Sequence, residues 1–485
     1  VISAATFANT GLPDDEARLL ASHIQAIEER LVYNQRLDAY YLGQTRVKDL
    51  GIAIPPGLSL IETVVGWPTM AVDVLEERLD VEDVVVADGS ADDLGLRDVW
   101  RANRLQVESG LAHTDTLIYG LNFLAASVGD SAAAEPNPLV TVEPPTRMTG
   151  TWDGRMRRLV DAAGVQKAAD GQTYTGASLY LPNVSYFLDC DRGVWTLRDV
   201  QEHDLGRVSV VPLVNRPRSG RPWGTSQISR AIISYTDTAV RTLLGMEVAR
   251  EFYSSPQRYA LGADETMFQD EQGNPKTAWE VYLGRFLALP SDDDGNMPEL
   301  GQLPAASPAP YLEQVKGLAS LVSAEAAIPI AYMGFNTDNP PSADGIRSLE
   351  ARLVKGAERR QTIFGMAWAE VLRLALMQRD GEAPPEADQI AVVWRDPATP
   401  TRAAAADRVQ KLIAAGVLPP DSEVTYEELG FSQVDKARLL ADARRARATQ
   451  RITALTSGAG SALADSVVAE LAGQVSPNGV TAPAR

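Results

Sequence analysis

LVSAEAAIPIAYMGFNTDNPPSADGIRSLEARLVKGAERRQ, residues 321–361, reads as the end of one helix, a loop and the start of another. Upstream, Leu312, Val315, Leu318 and Val322 recur at helical spacing after Pro310, a residue suited to a first helical turn. Pro329 stops that run. GFNTDNPPSADG, residues 334–345, has the composition of a loop. Beyond it the spacing predicts one helix over 342–380, about 38 residues and roughly 57 Å long at 1.5 Å per residue. Gly356 and Gly365 are its candidate kink sites.

Working outward, residues 226–254 form a second long stripe: Ile228, Ile232, Tyr235, Ala239, Leu243 and Met246, ended by Pro256. Between these helices lies an irregular segment, 255–309, with short strands such as WEVYLGRFLAL and an acidic tip, SDDDGNMPE. Two helices flanking an irregular insertion suggest a stalk with a tip. Residues 137–214 change period: short runs rich in Val, Tyr, Phe and Thr alternate with turn residues, and Asp191-Arg192-Gly193 marks a hairpin. An antiparallel region of four to six strands is expected there, followed by the connector RPRSGRPW at 216–223. N-terminal to it, helices are expected over 12–42, stopped by Gly43, over 60–79 with a bend at Pro68, and over 100–126 with irregularities at Gly110 and Gly120. IAVVWRD reads as one more strand, 402–455 as a second helical region, 461–472 as a weak last helix, and the remainder as a disordered tail. The fold class is α+β.

The chain has 485 residues, enough for about three domains or one elongated multi-part subunit. Its 45 basic and 64 acidic residues leave a net charge of −19, which argues against broad nonspecific DNA binding. The acid is uneven: residues 1–100 hold 7 basic and 18 acidic side chains, 255–345 hold 4 and 13, and 401–485 hold 10 and 9. A lone cysteine, Cys190, forbids an internal disulfide, and three histidines exclude a His-rich metal site. No apolar run is long enough to span a membrane, no secretory leader pattern opens the sequence, and with Val1 in place of Met a short upstream stretch is expected to be missing.

The motifs of catalysis are missing. There is no phosphate-cradling G-x-x-x-x-G-K-[ST], no G-x-G-x-x-G, and GTSQI around Ser226 lacks the second glycine of a nucleophile elbow. His113 stands two residues before Asp115 with no serine tied to either. In the acidic tip, glycine is fourth and Glu299 eighth, whereas a calcium loop needs glycine at its sixth position and glutamate at its twelfth. No catalytic residue, metal or cofactor is expected. The densest basic stretch holds Arg438, Arg444, Arg445, Arg447 and Arg451, either a solvated helix face or a contact for nucleic acid or an acidic partner.

The chain resembles bacteriophage portal proteins of the SPP1-like family, in the form common among phages of actinobacteria. The resemblance runs from about residue 12 to 456 and is carried by YYLGQTRV at 40–47, IYGLNFLAAS at 118–127, VVPLVNRPRSGRPWGTSQIS at 210–229, EFYSSPQRYALG at 251–262, the opening stretch, and KLIAAGVLPP at 411–420. It implies a wing at 1–225 of helices and then an antiparallel β block, a first stem helix at 226–254, a clip at 255–309 and a second stem helix at 310–330. A tunnel loop at 331–341, a long kinked helix at 342–380, a returning wing strand within 381–401, a helical crown at 402–456 and a tail at 457–485 complete it. It further implies a ring, usually of twelve copies, at one capsid vertex. Double-stranded DNA would be packaged and ejected through the ring without sequence-specific binding. The implied partners are the large terminase, the head–tail adaptor, and the major capsid and scaffolding proteins; none is a membrane. The protein would belong to the virion, with the host cytoplasm as its place of assembly, and would have no catalysis of its own. On this map Asn336, Thr337, Asp338 and Asn339 would face DNA in the tunnel, and Arg444, Arg445, Arg447 and Arg451 would meet packed DNA from the crown. The alternatives are a minor capsid or other head-associated structural protein and, behind it, a DNA-processing enzyme.

Overall fold

The structure is a computed structural model that describes residues 2–44, 63–86, 94–253, 258–261, 299–302, 307–335, 342–398 and 402–456. The acidic tip at 291–298, the WEVYLGRFLAL run, and the last helix and tail expected over 457–485 lie outside the described residues. The chain divides into two units, 1–398 and 399–485.

In the first unit, helix α1 (Asp14–Tyr41) starts behind Pro13 with Asp14, Asp15 and Glu16 in its first turn, where carboxylates complement the helix dipole. Its row Leu20, Ile24 and Ile27 is buried against a five-stranded sheet, meeting Val165, Leu179, Leu188 and Trp195. Helix α2 (Trp67–Glu76) holds Pro68 in its first turn. Proline begins this helix rather than bending it, because its missing N–H is no loss there.

Strand β1 (Val81–Val86) follows, then helices α3 (Leu96–Ala102) and α4 (Leu105–Tyr119). The expected helix over 100–126 is three things. Asn103 breaks it, its amide donating to the Val99 and Pro138 carbonyls at 3.0 and 2.9 Å and accepting from the Val140 N–H at 2.8 Å. Gly120 ends it at φ +89°, where a Cβ would lie 2.6 Å from the Thr225 backbone. Residues Leu121–Ser127 are then strand β2. This strand reads as a continuous apolar run because both its faces are buried. Leu124 and Ala126 join the helices, while Leu121, Phe123 and Ala125 face the neighbouring sheet.

The β region holds seven strands, more than expected: β3 (Leu139–Glu143), β4 (Met148–Asp153), β5 (Arg158–Lys167), β6 (Tyr174–Tyr180), β7 (Val184–Asp191), β8 (Val194–Glu202) and β9 (Val210–Val214). Strands β4 to β8 form one antiparallel meander, and β3-β2-β9 form a three-stranded sheet with β9 at an edge. The β7–β8 hairpin turns through Arg192 and Gly193, both at positive φ. Cys190 is half-buried on β7 beside the core under α1.

Helix α5 (Arg230–Tyr253) and, after the short strands β10 (Arg258–Leu261) and β11 (Glu299–Gln302), helix α6 (Ala309–Ala326) pack together. Ile232 and Ala239 meet Ala319, Val322 and Ala326 across that contact, with Trp67 and Ala71 of α2 at one end. Helix α7 (Ala343–Asp380) is hydrogen-bonded over 38 residues. It lays Phe364, Trp368, Val371, Leu372 and Ala375 against the three-stranded sheet. Strand β12 (Ile390–Trp394) pairs antiparallel with β1, so that Val84 faces Val392. Residues 1–225 are therefore not helices followed by strands: β1 and β2 are interleaved with the helices. The second unit holds helices α8 (Arg402–Ala414), α9 (Glu423–Glu428) and α10 (Gln433–Thr456); Ser422 caps α9 by accepting the Thr425 N–H at 3.2 Å. Among the described residues no helix is long and apolar enough to cross a membrane.

Candidate DNA-channel surface

The loop between α6 and α7 is defined by its two ends. Helix α6 closes at Ala327, in the left-handed region at φ 61°. Ser323 then folds the chain back, its hydroxyl donating to the Ile328 carbonyl at 2.6 Å and its carbonyl accepting the Ile328 N–H at 3.0 Å. A single turn, Ile330–Met333, ends at Gly334, φ +81°. Ile328, Ile330, Met333 and Phe335 pack on the α5–α6 core. On the far side, the Ser342 hydroxyl accepts the Gly345 N–H at 3.2 Å and caps α7. Asn336, Thr337, Asp338 and Asn339 themselves lie outside the described residues.

Those ends are tied together by ionic contacts. Arg78, after α2, reaches Glu350 on α7 at 3.3 Å and the Tyr332 hydroxyl at 3.1 Å. It also donates to the Pro397 carbonyl, and the Tyr332 hydroxyl donates to Glu350. The Arg78 side chain is only 9% exposed, so this network is shielded from salt. Arg352 donates to the Ala324 carbonyl at 2.7 Å, joining α7 to the end of α6. Residues 324–332 and 350–352, on either side of 336–341, are thus joined to each other and to Arg78.

Deeper in the same helix, Arg360 is buried and, among the described residues, has no carboxylate partner. It donates to Asn215 Oδ1 at 3.1 Å, Gln227 Oε1 at 3.2 Å and the Gly356 carbonyl at 2.8 Å. Burial, with Arg216 and Arg359 nearby, pushes its pKa down to about 10, which still leaves it charged at neutral pH. Two points of the connection between β9 and α5, Asn215 and Gln227, are thereby fixed to α7. Neither Arg78 nor Arg360 was singled out by motif reasoning. Arg360 carried a signal nonetheless: it lies in helical phase with the buried Leu353, Ala357, Phe364 and Trp368.

His113 is wholly buried and accepts the Trp368 indole N–H at 3.0 Å through Nε2, with the Phe364 ring stacked at 5.2 Å. Burial drives its pKa to about 3, so it is a neutral packing residue that locks α4 to α7. Arg444, Arg445, Arg447 and Arg451 lie along α10. Arg445 pairs with Asp442 at 2.7 Å and Arg447 with Asp421 at 2.8 Å. Among the described residues, Arg444 and Arg451 make no ion pair. Gly365 sits where Trp394 approaches: a Cβ there would lie 3.1 Å from the indole nitrogen.

These features define a mixed helix-and-sheet protein in which a packed helical pair is followed by a long helix tied back to it. Residues 21–424 match the family described as "Phage portal protein, SPP1 Gp6-like". The portal protein of Mycobacterium phage D29 is 34% identical over 426 residues, 86% of each chain, and that of Mycobacterium phage L5 is 33% identical over 433 residues, 88% of each. The chain belongs to the phage portal protein family. Among solved structures it is similar to a chain of the virion of a native gene transfer agent particle (TM-score 0.43, 15% identity, 83% of this chain and 93% of that one). It is also similar to a chain of the neck of the native particle computed with C12 symmetry (TM-score 0.41, 14% identity, 75% and 89%).

Proposed function

We propose that the chain assembles into a ring, of twelve copies in the family's usual form, at one vertex of a phage capsid, and that double-stranded DNA passes through its axial channel in packaging and ejection. The observation that carries this is the match to two mycobacteriophage portal proteins along nearly the whole of both chains. Residues 1–225 with β12 act as the wing, α5 and α6 as the stem, 255–309 as the clip, 331–341 as the tunnel loop, α7 as the long helix and 402–456 as the crown. The ring is structural and has no catalysis of its own. It meets the large terminase, the head–tail adaptor, and the capsid and scaffolding proteins, first in the host cytoplasm and then in the virion.

The physics is repulsion at a channel wall. At −19 per subunit, twelve copies carry about −230 formal charges. An acidic wall does not release counterions from DNA, so the duplex slides instead of adhering. Asn336, Thr337, Asp338 and Asn339 supply polarity without a cation, and the anchored base supports transient contact. Arg444, Arg445, Arg447 and Arg451 meet packed DNA on the capsid side.

Native mass spectrometry and negative-stain microscopy of the full chain should show a ring with a central opening. A strictly dimeric particle, or one with no opening, overturns the reading. Asp338→Lys should leave ring yield unchanged while reducing packaged DNA per head about tenfold; packaging at the wild-type level would remove the loop from the mechanism.

A further inference from the structure

A groove of about 790 Å³ runs along β9, between the β4–β5 hairpin, the 217–222 loop and α7. Its floor is apolar: Met156, Val210, Pro212, Ile363 and Met366. Met366 is 72% exposed although Phe364, Ala367 and Trp368 beside it are buried. Strand β9 is an edge strand, and Pro212 stands at its centre. A proline offers no N–H to an added strand, so this edge resists extension of the sheet. An occupant must bring side chains, as a helix laid in a groove does. Arg157, Arg158 and Arg218 rim the groove, while Arg207 within it is already paired with Glu370. The fitting shape is therefore an apolar helical ridge with acidic flanks.

Such a ridge exists on the same chain. Val107 and Leu111 on α4 are 54% and 56% exposed and lie one turn apart, with Asp115 next in the row. Glu108 flanks them, and Glu76 of α2 comes within 3.4 Å of where a Cβ on Gly110 would stand. Asp73 and Asp38 extend the acid, bonded to the Tyr41 and Tyr119 hydroxyls at 2.9 and 3.3 Å. Among the described residues, Arg147 is the cation that acts on Asp115, and none acts on Glu76. Burial and the surrounding Asp80, Asp73 and Glu77 push Glu76 up to about 7, and burial with Asp38 pushes Asp115 up to about 6 against the partial relief of Arg147. The two patches share no residue. A ring built from one kind of subunit requires two different, complementary patches of this sort.

We propose that the arginine-rimmed groove along β9 of one copy receives the acidic, apolar face of α4 from the next, and that this contact closes the ring. The inference rests on the ring reading above and names its interface. The test uses the full chain, with Arg157→Glu/Arg158→Glu in the groove and Glu76→Arg/Glu108→Arg on the helix. Circular dichroism should show native folding in both, because none of the four side chains belongs to the buried core. In mass photometry each variant alone should need at least about tenfold more protein to assemble. The equimolar mixture, and the chain carrying all four changes, should assemble as wild type does. Unimpaired assembly of both variants overturns the contact, as does failure of both without recovery in the mixture and in the combined chain. A second measurement is independent of charge. Val107→Cys/Met366→Cys in a Cys190→Ser background should give a ladder of oxidised oligomers, and rings yielding only monomer on a non-reducing gel would overturn the contact. If wild type forms no ring, the ring reading itself fails and the contact with it; wild-type rings alongside unaffected variants remove the contact alone.

Discussion

Glu76 and Asp115 show how single carboxylates report on what a subunit lacks. Glu76 faces Asp73, Glu77, Asp80 and the Tyr41 hydroxyl; Asp115 faces Asp38, Tyr119 and Arg147. Both pKa values are raised from the ordinary 4.5 and 3.8. The folded chain therefore holds these protons more tightly than the unfolded chain, and stability is lost as pH rises from about 4 to 7. His113 acts in the opposite sense: its pKa is lowered from 6.5 to about 3, so stability is lost as pH falls through that window. Substituting Glu76→Gln and Asp115→Asn should isolate the first effect. Denaturant unfolding should show a gain of about 1–2 kcal/mol at pH 8, trimmed by solvent screening, and almost none at pH 4. An equal gain at both pH values would assign the effect to packing instead.

In helix α7 a glycine makes room for a neighbour. Gly365 admits Trp394, whose ring also lies 5.5 Å from His113, so a larger side chain there must displace β12 from α4. Gly365→Leu should cost about 2 kcal/mol through overpacking. Gly317 on α6 is the contrasting case, with nothing near the position of an added Cβ. Gly317→Ala should add about 0.5–1 kcal/mol through helix propensity. Thermal unfolding of the two variants checks both signs. Sequence reading handled these helices unequally. The rows of α1, α5 and α6 were legible, since one face of each repeats every three or four residues. Strand β2 was not: with both faces buried its LNFLAAS run has no period of two, and it continues the apolar pattern of α4. Only Gly120 punctuates the change.

At the scale of the whole molecule, the net charge of −19 opposes DNA binding, while α10 carries a dense row of arginines. Arg445 and Arg447 are neutralised by Asp442 and Asp421, which leaves Arg444 and Arg451 as the side chains expected to carry contact with DNA. Arg444→Glu/Arg451→Glu should weaken binding of the full-length protein to any duplex alike. It should also lower the slope of log affinity against log salt by about 2. Fluorescence anisotropy across a salt series reads that slope. An unchanged slope would return α10 to a solvated face, the other reading its composition allowed.

Local periodicity and turn chemistry, which need only neighbours along the chain, were enough to place the helical pair and the long helix, and with them the order of segments that marks the family. Distant pairings were beyond that reach. Val84 opposes Val392 from more than three hundred positions away, and β9 becomes an edge strand only because β2 and β3 take the other side. Arg360 turns into a buried clamp only when Asn215 and Gln227 arrive beside it. The groove and the acidic ridge likewise exist only once β9, α7, α2 and α4 have packed. Which faces are covered, and which charges are left without partners, are consequences of long-range contact, and no window along the chain contains them.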